Sequence, residues 1–238
     1  MLNLTLGVLE LQFQQLSILL ILVQLQAQGN SCFPIKIIKD SFWYSEAQIQ
    51  TPFKARYRRD PLSESRTHTD GAIGNFTIDS ETKSGLRLNR KAKQFIVLEA
   101  KMKSGLSQGV KNSLFYDQAS RTIACMAKEI QESKNQVDDL ISTGFYIVAP
   151  QKQIQRGIFE KNLDIDYISQ TVDKRIKQYE QRKDDYKELL YWQKEYFDPL
   201  LSQISLKSLS YESLIENLDR EAKPAVKQFY QSCLDYNL

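Results

Sequence analysis

Two acids and a lysine carry the chemistry legible in this chain: Asp70, Glu99 and Lys101. Glu99 and Lys101 close the run Phe95-Ile96-Val97-Leu98-Glu99-Ala100-Lys101-Met102, which begins apolar and β-branched. Side chains alternate faces along a strand, so Glu99 and Lys101 project from one face. Two charges at the end of a buried strand are costly unless they have partners or a task there. A salt-bridged strand end is the structural alternative. Asp70 lies on a Thr- and Ile-containing stretch upstream. If the two strands pair, its carboxylate converges with that of Glu99. Two carboxylates and a backbone carbonyl are enough protein ligands for Mg²⁺, which keeps several waters. Beside a phosphodiester such an ion polarises the phosphate and lowers the pKa of a bound water. Lys101 is placed to orient or deprotonate that water.

The remaining composition excludes other chemistries. His68 is the single histidine, so sites built on several histidines are ruled out. Cys32, Cys125 and Cys233 are far apart and form no CxxC pair, which gives no zinc site or disulfide framework and favours a reducing, cytoplasmic setting. No GxSxG elbow and no GxxxxGK[ST] loop is present, so no nucleotide cofactor is expected. Net charge is only +3, but residues 51–105 hold 12 Lys or Arg against 6 Asp or Glu, a local net of 12 − 6 = +6. An anionic substrate is favoured there.

The positioning elements follow from periodicity. Residues 53–58 alternate in period two and predict a strand with a basic outer face. Residues 67–78 predict a second strand, bent at Gly71 and Gly74. Residues 79–93 predict a long hairpin turn, and 95–102 the third strand. Residues 113–130 carry apolar side chains at helical spacing, and 144–149 predict a buried strand stopped by Pro150. From residue 163, apolar positions recur at threes and fours, predicting long amphipathic helices broken at Asp198-Pro199 and near Lys223-Pro224. Residues 2–28 predict a buried or half-buried helix. An export or anchor segment is the alternative, although no basic residue precedes the apolar run and a membrane span is not expected. The expected organisation is an apolar N-terminal helix (1–30), an α/β core (31–160) and a helical C-terminal subdomain packed on it (161–238).

An aspartate, a hairpin, then Glu-x-Lys at the end of an apolar strand resembles the PD-(D/E)XK nuclease superfamily. The match is Asp70 within Arg66-Thr67-His68-Thr69-Asp70-Gly71, and Glu99-Ala100-Lys101. It covers residues 40–150 and departs from the pattern at Thr69, where the family has proline. The resemblance implies a restriction-endonuclease-like mixed sheet core in the order helix, three strands, helix, strand. It implies Mg²⁺ or Mn²⁺ held by Asp70, Glu99 and the Ala100 carbonyl, with Lys101 assisting the attacking water. It also implies DNA as the partner and phosphodiester hydrolysis as the activity, with homodimerisation left open. Several branches of the family place a glutamine on the following helix, and Gln118 is the candidate here. Arg66, Lys103 and Arg121 are candidate phosphate contacts, and Glu10 or Glu46 a candidate further carboxylate. His68 is read as a structural residue. The alternative function is a non-catalytic nucleic-acid- or protein-binding module on the same fold.

Overall fold

The computed structural model describes residues 35, 37–79, 85–110, 112–218 and 220–236. The helix expected over 2–28, Glu10 and Cys32 lie outside the described residues.

The strand Gln94–Ala100 (β5) is buried at every position. Its unbroken apolar run follows from that, because a strand covered on both faces has no solvent side to alternate with. It sits inside a sheet of seven strands, ordered β3-β4-β1-β2-β5-β6-β7. These are Phe42–Ile49 (β1), Thr67–Gly74 (β2), Phe76–Asp79 (β3), Gly85–Leu88 (β4), β5, Ser142–Ala149 (β6) and Ser205–Ser210 (β7). β5 pairs antiparallel with β2 and parallel with β6, and β6 pairs parallel with β7. The sheet is therefore mixed and the protein α/β.

Helices cover both faces. Gln118–Glu132 (α1), Ile165–Lys177 (α3), Lys183–Trp192 (α4) and Asp198–Gln203 (α5) share one core with Ala72, Phe95, Val97, Phe145 and Ile147. Tyr211–Glu216 (α6) and Ala222–Tyr236 (α7) share the other with Ile73, Ile96, Leu98 and Val148. A short helix, Gln151–Gln155 (α2), follows β6.

Several expectations are corrected. Residues 53–58 are irregular, not a strand. Phe53 is buried against Tyr116, Tyr179 and Trp192, but Ala55 and Tyr57 of the same alternation face solvent. The strand partnering β2 is β1, upstream of Pro52. The stretch 67–78 splits at Asn75. Its Oδ1 accepts from the N–H groups of Lys93 and Gln94, and its Nδ2 donates to the Asp40 carbonyl, so the chain leaves β5 and runs on to pair with β4. The described order is five strands, a helix, a strand, helices, a strand and two helices. The C-terminal third is not wholly helical: β7 extends the sheet, and α3 to α5 help form the core of α1. Asp198-Pro199 does not break the helix. The chain passes from α4 through a π-helical turn, Gln193–Phe197, straight into α5. The looser turn accommodates the hydrogen bond that proline cannot donate. Pro224 lies in the first turn of α7, where proline is tolerated.

β1 and α1 are tied by Glu129, whose Oε1 accepts the Gln50 N–H at 2.7 Å. Burial pushes this carboxyl from 4.5 up to about 7, with the Gln50 N–H, Arg87 and Arg66 opposing. A folded value above the unfolded one stabilises fully below the unfolded value, and the benefit is lost as pH rises through 7. Glu129→Gln keeps the acceptor without the charge. Its urea midpoint is expected to exceed the parent's at pH 8 and match it near pH 5, a difference of ~2 kcal/mol.

Candidate active site

The β2–β5 ladder runs from Gly74↔Phe95 to Gly71↔Leu98. One more step in that register sets Asp70 opposite Glu99, and there the ladder ends. In place of a carbonyl, Asp70 Oδ2 accepts the Ala100 N–H at 2.6 Å. On the other side, Ser45↔Gly71 and Ala47↔Thr69 pair around Asp70, while Glu46 takes a φ of 55°. Facing slips by one residue here. Thr67 touches Cys125 of α1, so Thr69 shares that face, yet Ala72 also belongs to the α1-side core. The kink turns Asp70 out of regular pairing and frees its carboxylate for the end of β5. Lys101 continues the extended register, its N–H donating to the Val148 carbonyl at 2.8 Å. It therefore stays on the face of Glu99.

Glu99 is 1% exposed. Its Oε2 accepts from Gln118 Nε2 at 2.6 Å and lies 3.7 Å from Lys101 Nζ. Burial first, then the Asp70 charge, push the Glu99 carboxyl well above the ordinary range, against Lys101 and Arg121. Glu99 Oε1 is buried without a partner. Two opposed acids and an orphaned buried oxygen suit a hard divalent cation, which would satisfy that atom and remove the repulsion.

Gln118 owes its orientation to the start of α1. Asp117 is the N-cap, accepting the N–H groups of Ala119 (2.9 Å) and Ser120 (3.1 Å) and the Ser120 hydroxyl (3.0 Å). The Gln118 N–H donates to the Ser107 carbonyl at 2.9 Å, and Ser107 N–H donates back to Gln118 Oε1 at 3.3 Å. That leaves the amide Nε2 to face Glu99. Asp117→Ala is expected to cost about 1–2 kcal/mol, read by thermal or urea unfolding.

The other candidates divide. Arg121, one turn on, opposes the rise of both Glu99 and Glu64, and its Nε is buried without a partner. It is lodged between acids rather than paired with Asp117, which serves as the cap. Arg66 is not brought to the site. It acts on Glu129, and it lies four residues before Asp70, roughly 13 Å along the strand. Lys103 is exposed and lines a cleft with Pro150, Gln153, Glu212 and Leu234, on the α6–α7 side. His68 is exposed. Glu46 stands opposite Asp70 by register, but among the described residues no three His, Cys, Asp or Glu side chains cluster. Of the basic loop, Arg56 is bound to Glu188 (2.7 Å) and Asp185 (3.5 Å). Trp192 is core and Tyr191 exposed.

The support beneath the site carries no sequence signal. Glu64 pairs with Arg175 at 2.9 Å, both buried, and no spacing signal links residues so far apart. Nor does Ser107 carry one, since it acts through its backbone.

Fold and site together define an α/β protein with a paired-carboxylate centre inside a mixed sheet. Compared with known proteins, the chain matches no family model, no curated protein and no solved structure. Among the described residues no helix is long and apolar enough to cross a membrane.

Proposed function

We propose that the chain is a metal-dependent nuclease of the PD-(D/E)XK, restriction-endonuclease-like kind, hydrolysing DNA phosphodiester bonds. The observation that carries this reading is the facing of Asp70 and Glu99 just past the end of the β2–β5 ladder, with Lys101 Nζ 3.7 Å from Glu99.

Asp70 and Glu99 would hold Mg²⁺ or Mn²⁺, with the Ala100 carbonyl a further oxygen donor. When bound, the ion supplies Lewis-acid polarisation of the phosphate and a more acidic water. Asp70 is fixed by the Ala100 N–H, so it enters the site with little freedom to lose. Gln118 holds Glu99 Oε2, which leaves Oε1 turned to a ligand. Lys101, only 16% exposed at its side chain, can orient a water through its Nζ–H donors and offset negative charge building on the phosphate. Arg121 adds positive charge behind Glu99, which favours its ionised, ligating form.

The purified chain, incubated with supercoiled plasmid and circular single-stranded DNA, is expected to cut at least one of them in Mg²⁺ or Mn²⁺ and neither in EDTA. Intact DNA of both forms in either metal, from a protein that melts cooperatively, rejects the reading.

A further inference from the structure

A cleft of about 560 Å³ opens beside the start of α1, between the 105–115 loop and α3. Its walls hold two lysines, each stationed over an aromatic ring. Lys161 Nζ stands 4.5 Å from the centroid of Tyr167, and Lys174 Nζ 4.2 Å from that of Phe115. Both lysines are exposed, and among the described residues neither enters an ion pair. A cation resting on a ring is held in place while its N–H donors stay available. At the rim, Leu114 is 82% and Ile158 39% exposed. Such apolar exposure beside free cations suits a ligand with flat faces and an anionic backbone.

The cleft is joined to the acid pair through one loop. Leu106 and Gln108 line it, and Ser107 between them exchanges two hydrogen bonds with Gln118, whose amide holds Glu99. Asp117, also in the lining, caps α1, and after burial its charge is what holds the Tyr167 hydroxyl above its usual range, so the far wall lies close to the same helix start. Gly109 keeps the loop tight: a Cβ there would fall 2.2 Å from the Leu114 carbonyl oxygen.

We propose that this cleft seats unpaired nucleotides of a DNA strand, phosphates on Lys161 and Lys174 and bases against Leu114, Phe115 and Ile158. The assignment of DNA rests on the nuclease reading. The choice of a single strand follows from the cleft. Its volume suits roughly one or two nucleotides and excludes both strands of a duplex. Base faces reward apolar and aromatic contact only when unstacked from a partner strand. Chains of this kind would prefer frayed ends, gaps or single strands over intact duplex.

The test uses the full chain in EDTA, so that binding is read without cleavage. The probes are a labelled oligothymidylate of about 20 nucleotides and a blunt duplex of the same length. The parent is expected to bind the single strand more tightly. Lys161→Gln/Lys174→Gln is expected to weaken that binding by about tenfold and to flatten the salt slope by about 1.4, with unchanged melting. Parent-like binding of the single strand by the double variant, or a parent preference for duplex, overturns the proposal. Parallel cleavage in Mg²⁺ separates the two readings. If the cleft variants lose strand binding although nothing is ever cut, the cleft stands and the nuclease reading fails. If DNA is cut and the variants bind and cut like the parent, the cleft assignment fails alone.

Discussion

Glu99→Gln is expected to unfold at a higher urea concentration than the parent at pH 8, while cleaving DNA at least about a thousandfold more slowly. The two effects have one cause. Glu99 is 1% exposed and faces Asp70, so ionising it costs stability in the metal-free chain. Its folded-state carboxyl lies above its unfolded value, so the stabilisation is complete below the unfolded value and is lost as pH rises through the folded one. A glutamine carries no such penalty. Its oxygen can still accept from Gln118 Nε2, and its uncharged amide does not repel Asp70. It removes the anionic ligand, which the proposed chemistry needs. A site kept at the expense of stability is what a functional acid pair predicts, and a structural ion pair predicts the reverse. Lys101→Ala is expected to slow cleavage by about a hundredfold or more without lowering metal affinity, because Nζ serves the water rather than the ion. Gel assays and urea melts at pH 8 read both variants. A Glu99→Gln chain that cuts like the parent would rule out Glu99 as a metal ligand.

Arg175→Met is expected to be the most destabilising single change in the described core, by about 3–5 kcal/mol. Arg175 is fully buried. Its Nε lies 2.9 Å from Glu64 Oε1, Nη1 donates to Gln178 and Nη2 to the Leu62 carbonyl, and the guanidinium sits 4.7 Å over the Phe53 ring. Burial already raises the Glu64 carboxyl, with Arg175 the main opposing influence. Removing the arginine strands an acid among Phe53, Tyr116 and Tyr179, with Arg121 and Thr51 as remaining support. Truncating Glu64 as well should recover more than half the loss, since the cost is the unpaired charge rather than the missing pair. Urea denaturation of the two single variants and the double variant measures this. A shift below about 1 kcal/mol for Arg175→Met would show the cluster to be open to water.

How much of this was legible in the chain depends on what each element faces. β5 could be read because burial on both faces leaves an unbroken apolar run, and α1 because its inner face repeats at helical spacing. The order of strand, helix and strand around the acids followed from those two. β7 could not be read. It pairs with a neighbour on one edge only, and just Leu209 and Ser210 are buried, so its sequence keeps little alternation. Residues 53–58 misled because alternation among Phe53, Ala55 and Tyr57 is a local accident, with only Phe53 buried.

The candidate site was legible in its residue types but not in its register. Asp70, Glu99, Lys101 and Gln118 do meet, and spacing alone could not show that the ladder ends one residue short of Asp70. Arg66 was expected there as one of a group of basic residues suited to phosphate, but four residues of extended chain carry it away from Asp70. Glu64 and Arg175 could not be foreseen, since their contact joins positions 111 residues apart.

If Asp70 and Glu99 form one metal site, a divalent ion should bind between them. Crystals of the full chain soaked in Mn²⁺, with anomalous data collected at the manganese edge, test it most directly. A peak is expected within ligand distance, about 2–2.5 Å, of carboxylate oxygens from both Asp70 and Glu99, and no such peak in Glu99→Gln. Soaked crystals without manganese between these two acids, or with it bound equally in Glu99→Gln, would contradict it.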